Sequence, residues 1–286
     1  MNNTKLNNWI QIPNIWLGTW LIPNDKVAEV VKTAVKLWYR HIDTAQAYEN
    51  EQWVGIWIKE CWISRQELFI TSKVRAEYKT YEEAKKSIDE SLKNMNLEYL
   101  DLMIIHAPQP RIEFRETENN YYKENIEVWK ALEDAYNEWK LKAIGVSNFH
   151  NYDLQNILNN CKIKPMVNQV LSHVWQTPFD IIEYCKNNGI VVEAYSPIAH
   201  GEAWRIIEVN AMAEKYNKSF AQICLRHQLQ LGLVVLPKAI SESHLKDNLN
   251  INFEISEDDM KILNNAKPLD NYWEHNFFPV FKHSWE

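Results

Sequence analysis

Four side chains that can hold or move a proton lie at the ends of successive short apolar runs in this sequence. Asp43 and Tyr48 come at and just after the end of the second run, five residues apart. Lys73 ends the third run, and His106 ends the fourth. Taken singly, each has an ordinary structural explanation, such as a turn cap for an aspartate or a core position for a histidine. If the runs are neighbouring strands, however, the four side chains would meet in one place.

This combination of residue types suits the reduction of a carbonyl group. Hydride transfer to a carbonyl carbon builds negative charge on the oxygen, so a donor must deliver a proton. A free tyrosine, with a pKa of about 10, donates poorly at neutral pH, but an adjacent ammonium lowers the pKa of a phenol and a carboxylate keeps that ammonium charged. We therefore predict that Tyr48 is the proton donor, supported by Lys73 and Asp43. His106 would donate from Nε2 to the carbonyl oxygen.

The elements that would position these side chains form an alternation of strands and helices. Eight short runs rich in apolar and β-branched residues alternate with stretches of helical period, and no linker-like segment separates them. The runs are WLGTW, YRHIDT, LFITSK, LDLMIIH, KAIGVS, PMVNQV, IVVEAYS and LVVLPK. This pattern predicts an α/β fold, a single (β/α)8 TIM barrel domain over residues 1–286, although a doubly wound open sheet can show a similar alternation.

Two of the predicted helices carry clear local signals. Before the third helix, Thr80 and Glu83 have the spacing of a capping box. The first helix has one apolar stripe with a period of three to four residues, which predicts a face packed on a sheet. The stripe consists of Val27, Val30, Val31, Ala34 and Val35.

Polar side chains also lie at the ends of the four later runs. Ser147 ends the fifth run and Asn148 follows it, and Gln169 lies near the end of the sixth. Tyr195 lies near the end of the seventh run, and Lys238 ends the eighth. In a (β/α)8 barrel the strand interiors are packed core and chemistry gathers at the carboxyl ends of the strands. These positions therefore favour the closed barrel over the open sheet.

The composition indicates a small-molecule partner. A formal net charge of -7 and an isoelectric point near 5.8 argue against the clustered basic residues of a nucleic-acid or membrane surface. The 4 cysteines lie far apart with no C-x-x-C spacing, so the sequence suggests neither a metal site nor a disulfide framework. Because there is no signal sequence and no apolar run of about 18 residues, we expect a cytoplasmic protein, and we expect it to be a monomer.

Beyond these patterns, the sequence resembles the aldo-keto reductase family over nearly its whole length. The matching segments are LGTW, YRHIDTAQAYENE, ELFITSK, LDLMIIHAP, KAIGVSNF, NQV, EAYSPI, and LPKAI followed by HLKDN. The resemblance implies a TIM barrel that reduces carbonyl compounds with a nicotinamide cofactor. It also implies a catalytic tetrad of Asp43, Tyr48, Lys73 and His106.

The same resemblance assigns the later strand ends to the nicotinamide. It implies that Ser147, Asn148 and Gln169 hold the carboxamide group. Tyr195 would stack on the nicotinamide ring. The first strand is not followed by a G-x-G-x-x-G motif, so the resemblance implies a site unlike that of a Rossmann fold.

Two departures from the family pattern bear on the cofactor. Lys238 matches a residue that contacts the adenosine phosphate, and Asn248 matches one at the adenine. The family often has Ser and Arg for the ribose 2′-phosphate where this chain has Ala239 and His244. A hydroxyl donor and a permanent planar cation are therefore missing. We expect NADPH to be preferred, with NADH also accepted.

We expect the substrate to be a small carbonyl compound. Variable loops determine which compound is accepted. Trp20, at the end of the first run, matches a family position beside the substrate and would give an aromatic wall. Arg111 and Arg115, in the loop after His106, could meet a carboxylate or could be solvated surface residues. Both possibilities stay open on the sequence.

Two other functions remain open on the sequence. One is a cofactor-binding barrel with a regulatory or structural role, against which an intact tetrad argues. The other is a lyase that forms a Schiff base on Lys73, with Asp43 and Tyr48 as proton shuttles. Turnover of any simple aldehyde would exclude the first, and borohydride trapping on Lys73 would support the second.

Tryptophan is unusually frequent here and glycine unusually rare. The chain has 13 tryptophans and 6 glycines, and the two counts together are close to the roughly 20 glycines usual at this length. Trp38 and Trp139 follow helical stretches where a left-handed residue, usually glycine, is expected. The family pattern has glycine at the positions of Trp16, Trp38, Trp53, Trp62 and Trp139. We predict that the gene reads UGA as glycine and that these tryptophans are glycines in the cell.

Overall fold

Eight parallel strands form the central sheet of the computed structural model, which describes residues 3–269 and 272. Each strand pairs with the next one along the chain. An N-terminal hairpin, β1 (Asn3–Lys5) and β2 (Gln11–Pro13), precedes them. The eight are β3 (Leu17–Gly18), β4 (His41–Asp43), β5 (Phe69–Val74), β6 (Leu102–Ile105), β7 (Ile144–Ser147), β8 (Val167–Leu171), β9 (Val191–Tyr195) and β10 (Val234–Leu236).

The sheet closes on itself through backbone hydrogen bonds between its two ends. The Val235 N–H donates to the Asn14 carbonyl at 2.9 Å, and the Trp16 N–H donates to the Val235 carbonyl at 3.1 Å. The Gly18 N–H donates to the Pro237 carbonyl at 3.3 Å. The barrel is therefore closed, which confirms the (β/α)8 prediction and excludes the doubly wound open sheet. The residues at 1–2, 270–271 and 273–286, which the domain prediction includes, lie outside the described part.

Helices connect the strands on the outside of the barrel. The first six each join two successive strands, the next two precede β10, and the last two follow it. Within the described residues, none of them is both long enough and apolar enough to cross a bilayer. They are α1 (Asn24–Lys36), α2 (Glu51–Glu60), α3 (Tyr81–Met95), α4 (Tyr122–Asn137), α5 (Asn151–Asn160), α6 (Phe179–Asn187), α7 (Ile207–Tyr216), α8 (Phe220–Gln230), α9 (Glu242–Leu249) and α10 (Glu257–Asn264).

The local helix signals are confirmed. Thr80 Oγ1 accepts a hydrogen bond from the Glu83 N–H at 3.3 Å, and Glu83 Oε2 accepts one from the Thr80 N–H at 3.1 Å. This reciprocal capping box begins α3. In α1 the predicted apolar stripe is the buried face, made of Val27, Val30, Val31, Ala34 and Val35.

The N-terminal hairpin covers the end of the barrel where the strands begin. Asn7 Nδ2 donates to the Pro165 carbonyl, before β8, and Asn8 Nδ2 donates to the Lys142 carbonyl, before β7, both at 2.9 Å. Leu6, between the hairpin strands, is buried. The carboxyl ends of the strands lie at the opposite end of the barrel.

The backbone at two of the singled-out tryptophans is left-handed, as predicted. Trp38 has φ 76° after α1, and Trp139 has φ 63° after α4. Their rings are 70% and 83% exposed, so the strain lies in the backbone rather than in packing. Trp9, which the sequence did not single out, is a third such position, with φ 73°.

The other three singled-out tryptophans have different surroundings. Trp53 lies inside α2 and Trp62 follows that helix, and the two residues are 40% and 54% exposed. Trp16 is fully buried, and its ring centroid lies 3.4 Å from that of His41. Aromatic pairs usually lie about 4.5 to 7 Å apart, so this contact is tight. Trp53 and Trp62 therefore have room in solvent for their rings, whereas Trp16 does not.

Candidate active site

Lys73 lies at the centre of a buried hydrogen-bond cluster. Its Nζ donates to Asp43 Oδ1 at 2.6 Å, to the Thr44 carbonyl at 3.0 Å and to the Tyr48 hydroxyl at 3.2 Å. Lys73 and Asp43 are both fully buried. An ammonium has three N–H donors, and these three acceptors occupy all of them. The Tyr48 oxygen therefore accepts a hydrogen bond from Lys73, and the O–H of Tyr48 can donate to another group.

Strand register explains why these side chains converge. Asp43, the last residue of β4, pairs with Thr71 on β5. Lys73 is two residues beyond Thr71, and side chains two apart point to the same face of a strand. Tyr48 ends the short 3-10 helix Gln46–Tyr48 that follows β4, which returns the phenol over the carboxyl ends of the strands.

Burial and charge act against each other on the pKa values of this cluster. Burial lowers the pKa of Lys73, but the charge of Asp43 and the hydrogen bonds outweigh it, so the net shift is upward. Burial raises the pKa of Asp43, opposed by the ammonium of Lys73. Lys73 is therefore charged at neutral pH.

The pKa of Tyr48 departs from the sequence-based expectation. Desolvation raises it above the ordinary value of 10.0, and the Lys73 ammonium offsets only part of that rise. The prediction that Lys73 brings this pKa below its ordinary value is therefore wrong. The sequence could not indicate this, because the balance between desolvation and the charge of Lys73 depends on the folded surroundings of the phenol. Tyr48 is protonated at neutral pH and so retains the proton that it could donate.

His106 follows β6 and stands edge-on to Tyr48, with ring centroids 5.7 Å apart and planes at 75°. Burial and the charge of Lys73 lower its pKa well below 6.5, so the imidazole is neutral. Its Nδ1 is buried and has no partner among the described residues. A proton on Nδ1 would therefore be a buried donor without an acceptor, which favours the Nε2–H form.

A cavity of about 540 Å³ at the carboxyl ends of the strands joins most of the predicted site residues. Its position is the one where TIM barrels place their chemistry. The predicted residues that line it are Trp20, Asp43, Tyr48, His106, Ser147, Asn148, Gln169, Tyr195 and Lys238.

Two predicted cofactor residues lie apart from this wall, on α9. His244 is exposed, and its N–H bonds the Ser241 cap. Asn248 is buried, and its side chain bonds the phenol of Tyr39. Both belong to the segment that follows Lys238.

The polar groups of the cavity suit a nicotinamide. Tyr195 donates from its hydroxyl to Asn148 Oδ1 at 2.8 Å, and Asn148 Nδ2 donates to Ser147 Oγ at 3.0 Å. Gln169 lines the same wall, so hydroxyl, amide and aromatic groups surround one space. Such a set offers both donors and acceptors to a carboxamide, and a flat face to its ring.

Glu193 belongs to this hydrogen-bond network, although the sequence patterns did not identify it. Gln169 Nε2 donates to Asp43 Oδ2 at 3.1 Å and to Glu193 Oε2 at 3.0 Å. Glu193 is fully buried in β9. The signal was a glutamate inside the apolar run IVVEAYS, at a strand position that has to face the barrel interior.

Comparisons with known proteins agree with this geometry. The sequence model of the Aldo/keto reductase family matches residues 14–267. Glyoxal reductase from Bacillus subtilis is 42% identical over 261 residues, which cover 91% of this chain and 90% of that protein. The 9,11-endoperoxide prostaglandin H2 reductase from Trypanosoma cruzi is 36% identical, covering 97% and 96%. The solved structure of MGS-M4, an aldo-keto reductase from a Medee basin deep-sea metagenome library, has a TM-score of 0.85 at 36% identity, covering 93% of this chain and 95% of its own.

Fold, cavity and relatives together define an NAD(P)H-dependent oxidoreductase that acts on carbonyl groups. The chain belongs to the aldo-keto reductase family.

Proposed function

We propose that this protein reduces an aldehyde or ketone to an alcohol with NADPH and that Tyr48 donates the proton. The observation that carries the proposal is the hydrogen bond of 3.2 Å from Lys73 Nζ to the Tyr48 oxygen, in the wall of a cavity that His106 also lines. Because the phenol oxygen accepts from Lys73, its own hydrogen is available to a carbonyl oxygen in the cavity.

The chain's own residues would handle the proton in a defined order. A reduced nicotinamide bound in the cavity would supply the hydride. As negative charge develops on the substrate oxygen, Tyr48 gives up its proton, and the Lys73 ammonium stabilises the phenolate that remains. Asp43 keeps Lys73 charged and in place. His106, neutral and protonated on Nε2, holds the carbonyl oxygen next to the phenol.

The nicotinamide would be held by the polar wall described above. Ser147, Asn148 and Gln169 have the hydroxyl and amide groups that a carboxamide needs. Tyr195 lines the same space with its ring and is fixed by the bond to Asn148. These contacts would orient the ring towards the substrate.

NADPH is the proposed cofactor, with weak discrimination against NADH. Lys238 lines the cavity and supplies a cation for a phosphate. His244 and Asn248, on the following helix, would lie near the ribose 2′-phosphate and the adenine. A histidine lacks the permanent charge and the planar fork of donors of an arginine, so it grips a phosphate less firmly.

The substrate would be small and partly apolar. Trp20 and Phe114 line the cavity beside the catalytic residues, so an apolar or aromatic aldehyde would bury its ring against them. The name of the Bacillus subtilis relative adds glyoxal to the compounds worth testing.

A Schiff-base lyase is less well supported. A nucleophilic amine must be unprotonated, whereas the pKa of Lys73 is raised because Asp43 and its hydrogen bonds outweigh burial. A regulatory role would not explain why Lys73 is hydrogen-bonded to both Asp43 and Tyr48.

The proposal is tested by an NADPH-oxidation screen over aldehydes, ketones and keto acids, run in parallel with NADH. We expect turnover of simple aldehydes with both cofactors and a lower KM for NADPH. Cofactor binding without turnover of any carbonyl compound would favour the regulatory role instead. Trapping of a substrate on Lys73 by borohydride would favour the lyase.

A further inference from the structure

Arg111 lies on the loop after β6 and lines the same cavity as Tyr48 and His106. Its side chain is 38% exposed. Its charge reaches the catalytic groups, because it adds to burial and Lys73 in lowering the pKa of His106. A cation that is partly open to solvent therefore lies in the wall of the cavity that Tyr48 and His106 also line.

Arg115, the second arginine of this loop, has a structural role. Arg115 Nη2 donates to Asp153 Oδ2 at 2.6 Å, and Asp153 is buried at the start of α5. That pair ties the loop to the barrel, and Arg115 does not reach the cavity wall. The structure thus separates two arginines that the sequence left equivalent.

Glu77 orients Arg111 and leaves most of its donors for another group. A single carboxylate oxygen, Glu77 Oε1, accepts from Arg111 Nε at 2.9 Å and from its backbone N–H at 3.4 Å. Among the described residues, Glu77 is the one acidic side chain paired with Arg111. A guanidinium has five N–H donors, so the two terminal nitrogens can still bind a second carboxylate.

We propose that Arg111 is a specificity-determining residue that binds a carboxylate group of the substrate. The cavity beside it is lined by Trp20, Phe114 and Ile198, and apolar walls strengthen such a charge pair. The enzyme would therefore prefer carbonyl compounds that carry an acid group over their neutral esters. This inference rests on the proposed carbonyl reduction.

The test compares 4-carboxybenzaldehyde and succinic semialdehyde with their methyl esters at saturating NADPH. The measured quantity is the ratio of kcat/KM for the acid to that for the ester. We expect Arg111→Gln to lower this ratio about tenfold, the effect of one charge-assisted hydrogen bond. Glu77→Gln should raise the ratio, because it keeps an acceptor for Nε and removes the competing negative charge. Lys123→Gln removes an exposed cation on α4 and should leave the ratio at its wild-type value.

Opposite shifts of the ratio in Arg111→Gln and Glu77→Gln would separate recognition from a structural role of the Arg111–Glu77 pair, which both substitutions disturb. Partial recovery of the ratio in Arg111→Lys would support recognition further. Equal effects on acids and esters, or an equal shift in Lys123→Gln, would overturn the inference while leaving the proposed reduction intact. Failure of the wild type to reduce acids and esters alike would overturn the proposed function, and this inference with it.

Discussion

At the scale of single residues, Glu193 extends the buried hydrogen-bond network of the active site. Gln169 bridges it to Asp43, and the second oxygen of Glu193 has no partner among the described residues. Burial, with the nearby charge of Asp43, raises the pKa of Glu193 well above 4.5. Glu193 is therefore neutral in conditions where an exposed glutamate is ionised, and the ion pair of Asp43 and Lys73 stays the charged centre of the site.

This protonation makes stability depend on pH. In the unfolded chain Glu193 ionises above a pKa of about 4.3, whereas the folded chain resists ionisation. The folded state then binds more protons, so this group's contribution to stability declines as pH rises from about 4.3 towards the raised folded pKa. Glu193→Gln removes that dependence. We expect the stability of the variant relative to wild type to increase as the pH rises from 5 to 8.

Urea unfolding at several pH values measures this difference. Glu67→Gln, on an exposed glutamate, serves as the control and should show no such trend. A Glu193→Gln difference that is flat with pH would mean that Glu193 is ionised in the folded protein.

At the scale of elements, α9 carries His244 where the family often has arginine, and in the proposed cofactor site this histidine would lie near the adenosine end of NADPH. His244→Arg should tighten NADPH binding about five- to tenfold and leave NADH binding nearly unchanged, because only NADPH has the 2′-phosphate that a guanidinium can grip. Lys238→Ala should weaken NADPH binding. Dissociation constants from fluorescence titration measure both, and equal gains for NADPH and NADH in His244→Arg would show that this residue lies away from the phosphate.

The ends of α1 and α4 place non-glycine residues where glycine is favoured. At Trp38 and Trp139 the left-handed backbone costs about 1 to 2 kcal/mol for a residue with a Cβ. Trp38→Gly and Trp139→Gly should therefore each raise the free energy of unfolding by about 1 kcal/mol. Trp38→Ala removes the ring but keeps the Cβ, so it should gain little. Equal melting temperatures for Trp38→Gly and Trp38→Ala would refute backbone strain as the cause.

The gene offers an independent check on the same positions. We expect UGA codons at Trp16, Trp38 and Trp139, and likewise at Trp53 and Trp62. Trp129 is a matched control, because its ring is buried and its Nε1–H donates to the Ile163 carbonyl at 3.1 Å. It should be encoded by UGG. UGG at the five positions would eliminate the reassignment.

At the scale of the whole molecule, the strand ends and the barrel were predictable, whereas the loops and the interior charges were not. Each apolar run became a strand because a buried parallel sheet requires such runs, and this placed Asp43 and Lys73 correctly. The difference between Arg111 and Arg115 depends on which acid each loop side chain meets, and no periodicity encodes that. Likewise, the net pKa of Tyr48 depends on desolvation, which exists only once the barrel has closed.

The central claim is that Tyr48 supplies the proton, and Tyr48→Phe tests it most directly. The substitution removes one hydroxyl and keeps the ring, so NADPH binding should stay within about twofold of wild type. The rate of aldehyde reduction should fall at least about a hundredfold, in line with the loss of a general acid. Both are measured on one preparation, by fluorescence titration and by single-turnover oxidation of bound NADPH. Intact cofactor binding with reduction lost is the predicted result, and wild-type turnover in Tyr48→Phe would contradict the mechanism.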